Sequence, residues 1–409
     1  MNTLSSAQPR TDSRNALYAF LAGFLAWTFD SFDFFTLTYV LAQIATDFHK
    51  PVSAVALMLT ASLLMRPVGA ILFGLLGDRY GRRRPLMITI LVNSGISVLC
   101  GLAPSYAVLL FLRAVFGIGM GGVWGLAASL AMESAPAEKR GTYSGILQEG
   151  YAIGNLLAGV AFWMVFPHWG WRPLFFLRVA PGLLTVYLLF RVQESKAWKA
   201  AAAVKKDWGV YLRTIAANGK RLLYLVVLMS MMGFLSHGTQ DLYPTFLLRQ
   251  IHFSPGLTAM IGVISMIGAI LGGTLGGLFS DRYGRRRTMI SAELCALLLI
   301  PLWVFSHGVA LIAAGAFLMQ SMVQAAWGVI PAHINELIPD SVRALLPGFA
   351  YQIGMLVAST APYLEALATR HFTYAQAMGA VVAIVVLVGI TVIAAGPEAH
   401  HVAFGQDAG

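Results

Sequence analysis

The sequence predicts an all-α, polytopic membrane protein whose twelve transmembrane helices form two pseudo-symmetric bundles of six. Composition is the first observation: 58% of the 409 residues are hydrophobic, 11% are charged, and the mean hydropathy is +0.72, which no soluble globular domain matches. Second, apolar runs long enough to cross a bilayer follow one another along the whole chain. Third, an eleven-residue segment of the first half recurs in the second half, as expected of a duplicated unit.

The apolar runs divide into twelve predicted spans, most of them separated by short polar loops. Each run is long enough for a helix that crosses the hydrocarbon core. In order, the predicted spans are 15–46, 52–77, 85–103, 105–132, 141–167, 172–192, 221–249, 256–279, 288–306, 308–336, 343–368 and 374–395.

A basic linker at residues 193–220 separates the first six spans from the last six. Its Trp198 and Trp208 are placed to rest on the lipid interface, where tryptophan is enriched. The units on either side are an N-terminal bundle at 1–192, a C-terminal bundle at 221–396 and a cytoplasmic tail at 397–409.

The net charge of +10 follows from where the 28 Lys and Arg residues lie. Most of them fall in the N-terminal segment and in loops on the same side of the predicted membrane, an asymmetry that places those loops in the cytoplasm. We therefore expect a plasma (inner) membrane protein with both termini cytoplasmic, no cleavable signal peptide and no nucleic-acid partner. Cys100 and Cys295 fall in spans and are expected to be small buried apolar residues, not a disulfide or a metal site.

The recurring segment lies at the same place in each half. Gly74–Arg84 reads GLLGDRYGRRR and Gly277–Arg287 reads GLFSDRYGRRR, a shift of 203 residues. The same shift relates Glu133 to Glu336. Two parallel halves related by an axis along the membrane normal are the plan of one large class of transporters.

Both segments resemble the loop signature of the major facilitator superfamily, and Arg113 with the glycines after it resembles that superfamily's helix-four signature. The resemblance covers nearly the whole chain; it implies the fold of that superfamily and leaves the substrate open. Aspartates of the signature are expected to accept hydrogen bonds from arginines or to cap a neighbouring helix, closing the cytoplasmic face. The expected gating residues are Asp78, Arg79, Arg82, Arg113, Glu133, Asp281, Arg282, Arg285 and Glu336.

Few ionisable side chains fall at membrane depth, and three of them lie in the first two helices. Asp30 and Asp33 lie near one face of helix one, where their repulsion would leave at least one protonated and available for proton coupling. Pairing with an arginine of another helix is the alternative. Arg66 stays charged in the middle of helix two and needs a counter-anion. Either one of those aspartates supplies that anion, or an anionic substrate does.

Helix seven carries a polar stretch, residues 236–245, within an otherwise apolar run. His237 and Asp241 are four residues apart and share one helix face, with Ser236 and Gln240 beside them. An ionisable residue in the bilayer costs about 2.5–3.5 kcal/mol on insertion scales. The pair is therefore expected to bind a proton beside a water-filled substrate path, or else to hold helices together.

Helices five and eleven carry polar residues at equivalent positions. Gln148 and Glu149 lie in helix five, Tyr351 and Gln352 lie in helix eleven, and the shift of 203 maps Glu149 onto Gln352. We expect these residues to line a shared central cavity. Glu149 is a further candidate for proton coupling, and the other three are candidates for substrate contact.

The remaining charged residues of the spans give no sign of catalysis. Arg178 in helix six and Glu293 in helix nine are expected to be peripheral, with their charged ends reaching water. No nucleophile set, metal-ligand spacing or phosphate loop appears in a soluble domain, which argues against an enzyme and predicts no cofactor.

The stretch 236–245 closely resembles the helix-seven signature of the Jen-type lactate/pyruvate–proton symporters, which belong with the sialate–proton symporters. In that family the histidine and the aspartate are associated with transport and proton coupling, which implies those roles for His237 and Asp241. The family's helix-two arginine matches Arg66 and its helix-eleven glutamine matches Gln352.

Two features qualify that resemblance. Residues 30–35 fit the family's helix one, but aromatic-acid symporters share a similar pattern. Gly233 stands where the family usually has asparagine, so a polar substrate contact is missing or supplied elsewhere.

The resemblance implies a secondary active transporter that imports a small monocarboxylate with protons by alternating access. Arg66 would bind the anion, and Gln352, Gln240 or Ser236 would bind a hydroxyl or keto group. Symport of sialic acid or of an aromatic acid is the alternative, although the lack of a two-helix insertion favours a smaller acid. A proton-driven exporter of cationic or apolar compounds is disfavoured, because Arg66 would face a cation. The expected partners are the acid, the proton and the lipid bilayer, and the expected state is a monomer.

Overall fold

The computed structural model describes residues 8–201 and 207–405. The linker segment 202–206, which carries two of the linker's lysines, lies outside the described residues, as do residues 1–7, the side chains of residues 8–13 and the last four residues of the tail.

Seventeen α-helices make up the described part of the chain. The first half contains α1 (Gln8–Asp47), α2 (Val52–Tyr80), α3 (Arg83–Gly101), α4 (Tyr106–Ser134), α5 (Arg140–Gln148), α6 (Gly150–Trp169) and α7 (Val179–Arg191). The linker contains α8 (Lys196–Ala201) and α9 (Trp208–Ala217). The second half contains α10 (Gly219–Gln240), α11 (Tyr243–Arg249), α12 (Pro255–Tyr283), α13 (Arg285–Val304), α14 (Val309–Glu336), α15 (Leu345–Ala358), α16 (Ala361–Ala368) and α17 (Tyr374–Ala395).

These helices confirm the predicted fold class. Within the described residues, ten helices or broken helix pairs are long and apolar enough to cross a membrane. The 40-residue α1 and the broken pair α15–α16 complete the twelve spans. The protein is therefore a multi-pass, all-α membrane protein.

Three of the spans are broken, although the sequence was expected to form each of them as one helix. The α10–α11 break precedes Pro244 and the α15–α16 break precedes Pro362. A proline ring clashes with the carbonyl four residues earlier, which here belongs to Gln240 and to Ala358, the last residues of α10 and α15. The α5–α6 break falls at Glu149.

One end of the molecule, which we call the basic face, carries the loops after α2, α4, α12 and α14 together with the linker. The other end is the opposite face. The two halves pack against each other through α2 with α15 and α5 with α12. Gly125 of α4 meets Gly348 of α15, and Gly145 of α5 meets Gly273 and Gly277 of α12. The cleft between the halves is therefore closed towards the basic face.

The linker packs against the basic face. Trp198 donates its indole N–H to the carbonyl oxygen of Asp78 at 2.8 Å, so it does not rest on lipid as expected. Trp208 is half-exposed, with the Arg79 guanidinium 4.8 Å from its ring. The Tyr211 hydroxyl donates to the Asp78 carboxylate at 3.0 Å. Burial, reinforced by that carboxylate, raises the pKa of Tyr211 and keeps it a donor.

The cysteine prediction holds for Cys100, which is buried, and is wrong for Cys295, which is exposed. Cys295 lines a cleft of about 730 Å³ on the outer surface of α12, α13 and α14. A small, weakly polar side chain is compatible with either environment.

Candidate functional site

The acids of helix one are paired with arginines from two other helices. Arg113 of α4 lies 2.6 Å from Asp33. Arg178, just before α7, lies 3.2 Å from Asp30 and 3.8 Å from Asp33. All four side chains are buried, and Asn93 of α3 also donates to Asp30 at 3.2 Å. The expectation that Arg178 is peripheral is therefore wrong, because its guanidinium is held inside the bundle by two carboxylates.

Arg66 has no such partner. Its side chain is 6% exposed, and no carboxylate oxygen of the described residues lies within 4.0 Å of its guanidinium. Nη2 lies 2.7 Å from the sulfur of Met120, and the guanidinium lies 5.0 Å from the ring centre of Phe34. The sequence allowed either an aspartate of helix one or an anionic substrate as the counter-anion of Arg66. Neither Asp30 nor Asp33 forms an ion pair with Arg66.

Charge counting makes the imbalance explicit. Around helix one, the buried cluster comprises two carboxylates, Asp30 and Asp33, and three guanidiniums, Arg66, Arg113 and Arg178. The other buried charges described in this half lie at the basic face or, for Glu149, at the α5–α6 break. With all five ionised, one positive charge is left over, and the geometry leaves it on Arg66. An unpaired buried charge is unfavourable, so this side chain favours the arrival of an anion.

Aromatic rings close the cleft in the middle of the molecule; we call them the aromatic floor. Tyr351 of α15 stacks on Trp124 at 4.1 Å, and the rings of Trp27 and Trp327 each lie 6.0 Å from it. Tyr151 of α6 stacks on Trp27 at 5.6 Å. Trp124 and Trp327 are related by the shift of 203 residues. This repeated tryptophan marks the floor in the sequence, but ionisable residues alone do not reveal it.

Three of the predicted substrate contacts lie at this floor. The Trp124 indole donates to Gln148 Oε1 at 3.4 Å, and Gln352 Nε2 donates across the cleft to the Gly121 carbonyl at 3.4 Å. Tyr351 is the centre of the floor. Each half therefore supplies polar groups to one central position.

The helix-seven residues form a polar cluster of their own at the end of α10. Imidazole Nδ1 of His237 lies 2.9 Å from a carboxylate oxygen of Asp241. Their side chains are 27% and 38% exposed. Gln240 donates to the Ser236 hydroxyl and to Gln320 of α14, both at 3.1 Å.

Gln320 was not singled out from the sequence. It is buried and donates in turn to the Thr239 hydroxyl at 3.0 Å. The sequence does contain a sign of its importance, because Gln320 places a polar amide inside the apolar run 308–336.

Charge interactions link the two sides of the cleft. The Tyr151 hydroxyl is within electrostatic range of the Arg66 guanidinium and of the Asp241 carboxylate. Tyr351 also senses the charge of Arg66. The predicted anion-binding and proton-binding residues therefore border one region.

Three carboxyl groups in the described part of the chain are buried without a cation. Glu149 is buried at the α5–α6 break, and neither of its oxygens has a hydrogen-bond partner in the described part of the chain. Glu293 is 1% exposed and packs against Gly389 of α17, so its predicted peripheral position is wrong. Glu365 of α16 is also buried and was not considered from the sequence.

The basic face is closed by a duplicated ion-pair network. Arg82 pairs with Asp78 at 3.0 Å and with Glu133 at 2.8 Å. Arg285, its counterpart in the second half, pairs with Asp281 and Glu336, both at 2.9 Å. Each set is internal to one half.

Other contacts of this network cross between the halves. Asp78 accepts from the backbone N–H groups of Ala344 and Leu345 at 2.9 and 3.2 Å. Asp281 accepts from those of Gly141 and Thr142 at 2.7 and 2.8 Å. The pairs Arg140–Glu336 at 2.9 Å and Arg343–Glu133 at 3.6 Å also span the cleft.

Three of the expected gating residues lie outside this network. Arg113 pairs with Asp33 in the half of α4 that is remote from the basic face. Arg79 and Arg282 are exposed on the surface. Their positions in the repeated segment are equivalent, and each points away from the cleft.

The comparison with protein families gives the relationship. Residues 19–246 and 242–406 each match the model described as Major Facilitator Superfamily. The chain belongs to the Major Facilitator Superfamily. It is accordingly a transporter and not an enzyme. Among the described residues, no three His, Cys, Asp or Glu side chains come together as a group that could hold a metal ion.

Relatives within the Major Facilitator Superfamily carry the names of transporters. The chain is 32% identical over 391 residues to the carboxylic acid transporter protein homolog of Saccharomyces cerevisiae. That match covers 89% of this chain but only 63% of the yeast protein, so the chain spans less than two thirds of this relative's length. It is 25% identical to the sialic acid transporter NanX of Escherichia coli, with 91% of both chains covered.

A solved structure of the superfamily has the same fold. The proton:xylose symporter XylE, bound to 6-bromo-6-deoxy-D-glucose, superposes with a TM-score of 0.76 over 97% of this chain and 98% of that chain. The sequences are 18% identical, so the likeness concerns the fold.

Proposed function

We propose that the protein imports a small monocarboxylate, of the lactate or pyruvate type, together with a proton. The observation that carries this proposal is Arg66, a buried guanidinium without a carboxylate partner among the described residues. A guanidinium presents a planar pair of N–H donors that suits a carboxylate. An organic anion would supply the charge that Asp30 and Asp33 do not.

The distribution of basic residues supports a cytoplasmic basic face and a plasma (inner) membrane location with both termini cytoplasmic. The network around Asp78 and Asp281 then closes the cytoplasmic side. The His237–Asp241 pair is partly exposed at the end of α10 that lies towards the opposite face, where an outward-facing vestibule would open. We therefore interpret the structure as the outward-facing state of an alternating-access cycle.

Substrate would bind between Arg66 and the aromatic floor. Its carboxylate would lie on Arg66, and its hydroxyl or keto group would reach Gln352, Tyr351 or Gln148 at the centre. Ser236 and Gln240 would contact it from the second half.

We assign proton binding to the His237–Asp241 pair and to Glu149. Asp30 and Asp33 are each ion-paired with arginine, so the repulsion that suggested a retained proton is offset. The His237–Asp241 pair is open to the vestibule, and Glu149 is buried without a cation. These groups remain able to take up a proton.

Coupling follows from the cost of burying charge. With the acid bound to Arg66 and a proton on the carboxylate of Asp241 or Glu149, both charges are balanced and the site can be enclosed with little net charge. With the acid alone that carboxylate would stay charged, and with the proton alone Arg66 would be uncompensated; burying either charge is unfavourable. The fully loaded carrier is therefore the form that changes conformation readily.

The names of the relatives support an organic acid as substrate. The yeast relative is named for carboxylic acids and the bacterial one for sialic acid, and both classes carry a carboxylate that Arg66 would bind. The resemblance of residues 236–245 to Jen-type symporters favours the smaller acid.

The proposal is tested by uptake of labelled lactate into proteoliposomes. An inward proton gradient should accelerate uptake and drive accumulation, about tenfold per pH unit for one proton per lactate. A protonophore should abolish accumulation. Uptake that is indifferent to the gradient would exclude proton symport, and competition by sialic acid but not by pyruvate would identify the larger acid as substrate.

A further inference from the structure

We propose that Glu365 is a proton-binding residue of the transport site, sealed behind the His237–Asp241 pair. This inference rests on the proposed proton symport and adds a residue that the sequence did not indicate. Glu365 lies on α16, just after the break that Pro362 imposes on its span.

The position of Glu365 connects it to the helix-seven cluster. Its carboxyl packs against Gly238 of α10, where an added Cβ would lie 3.2 Å from Glu365 Oε1. Gly238 directly follows His237 and lies three residues before Asp241. The Asp241 carboxylate is within electrostatic range of Glu365.

Among the described residues, no arginine or lysine pairs with Glu365. The residue is 0% exposed, and neither carboxyl oxygen has a hydrogen-bond partner within the described ranges. Helix α16 packs against α10 and α17. From α10, His237 and Asp241 are the titratable groups on the near side; α17 has no Asp, Glu, His, Lys or Arg.

A carboxylate in that position would be an isolated buried anion, which proteins avoid by retaining the proton. The contrast with Asp30 and Asp33 is direct, since each of those has an arginine within 3.2 Å. Glu365 is therefore a neutral carboxylic acid in the conformation described here.

The geometry also defines a route for the proton. His237 and Asp241 are partly exposed, whereas Glu365 is sealed, so a proton from the vestibule reaches the pair first. On release, the O–H bond of the Glu365 carboxyl breaks and the proton passes to the Asp241 carboxylate or the His237 imidazole, and then to water. The anion left behind disfavours the present packing of α16 on α10, which links proton release to a change of conformation.

Glu365→Gln is the test, because the amide keeps the shape of a neutral carboxyl and cannot release a proton. In proteoliposomes, Glu365→Gln should retain exchange of labelled for unlabelled lactate across the membrane but lose accumulation driven by a proton gradient. The exchange rate of the wild-type protein should depend on pH, and that dependence should be flattened in the variant.

Glu293→Gln is the matched control. Within the described residues of the second half, Glu293 is the other carboxyl that is buried without a cation, and it packs against Gly389 of α17. Its variant should accumulate lactate as the wild type does.

The outcomes separate the two proposals. If the wild-type protein shows no proton-driven uptake, the proposed function fails. If the wild type accumulates lactate and Glu365→Gln does so equally well, the role of Glu365 is overturned. Should Glu365→Gln not fold, Glu365→Asp supplies the readout: a displaced pH dependence of exchange supports the inference, and an unchanged one contradicts it.

Discussion

Arg66 differs from the other buried arginines of the first half because its neighbours are a thioether and an aromatic ring. Arg113 and Arg178 each have an aspartate within 3.2 Å. The Met120 sulfur is a weak hydrogen-bond acceptor for Arg66, and the Phe34 ring makes a cation–π contact with it. Both contacts stabilise a guanidinium less than a carboxylate does. The side chain is thus held in place without being neutralised.

Replacing Arg66 by lysine tests the paired N–H donors of the guanidinium and not the positive charge, which lysine keeps. Lysine keeps the positive charge but presents a point charge that cannot bind a carboxylate through two parallel hydrogen bonds. Losing one charge-assisted hydrogen bond costs about 1.5–3 kcal/mol, so Arg66→Lys should weaken lactate binding by about tenfold or more. The dissociation constant of the purified protein measures this.

Arg84→Lys serves as the control for Arg66→Lys, since Arg84 is exposed on the basic face. Its affinity for lactate should equal that of the wild type. An Arg66→Lys variant that binds lactate with unchanged affinity would mean that Arg66 has a structural role only.

At the scale of helices, close packing of α12 on α14 depends on glycine. A Cβ added at Gly272 would lie 2.0 Å from the carbonyl oxygen of Ser321 on α14, closer than any real contact, so the helices would have to separate. Small residues are the usual means of bringing membrane helices this close.

Gly272→Ala should therefore destabilise the protein, by about 1–3 kcal/mol if it behaves as other overpacked positions do. The thermal melting temperature of the purified protein in detergent measures this. Gly262 lies on the same helix and has nothing within 4 Å of its added Cβ. Gly262→Ala should leave the melting temperature unchanged or raise it, because alanine favours helix; equal losses in both variants would contradict the packing argument.

The helix breaks have a different cause and a different consequence. Pro244 and Pro362 end α10 and α15 inside their predicted spans. Backbone groups freed by such breaks are tolerated where they face protein or a water-filled cavity. Asp241 and Glu365 each lie within three residues of one of these prolines, which places proton-binding side chains beside locally irregular backbone, as in other transporters with discontinuous helices.

For the whole molecule, the contacts at the basic face determine which side of the cleft is closed. Asp281 accepts hydrogen bonds from Gly141, from Thr142 and from Arg285. The first two of these partners belong to the other half of the molecule. Separating the halves at this face removes those contacts together.

Asp281→Asn should weaken this closure. The asparagine NH2 group would replace one of the two carboxylate oxygens that accept from backbone N–H groups, so a donor would face a donor. The loss of one charge-assisted hydrogen bond, about 1.5–3 kcal/mol, would shift the population towards the opposite-face-closed state by about tenfold or more. Hydrogen–deuterium exchange should become faster at residues 137–145 and at 336–345.

Asp47→Asn is the control for that experiment. Asp47 accepts from Trp171 at 2.6 Å and from Gln43 at 2.9 Å, both within the first half, so its variant should leave exchange at the basic face unaltered. Faster exchange in both variants, or in neither, would show that the Asp281 contacts do not control closure.

The sequence alone determined the class of fold, the number of spans and the duplicated halves, because apolar length and a repeated segment are properties of the chain that no packing detail alters. It also identified Arg66, the His237–Asp241 pair and the acids of helix one as the residues to consider. It did not place the breaks, although Pro244 and Pro362 marked them.

Only the tertiary structure decided how the buried charges are paired. From the sequence, Asp30 and Asp33 were equally suited to hold a proton, to balance Arg66 or to pair with another arginine; the structure pairs them with Arg113 and Arg178. Arg178 and Glu293 were misplaced because hydropathy gives the depth of a residue and not the face of the helix it occupies. Glu365 became significant for the same reason, since it is the packing of α16 on α10 that brings its carboxyl beside Gly238 and buries it without an arginine or lysine partner among the described residues.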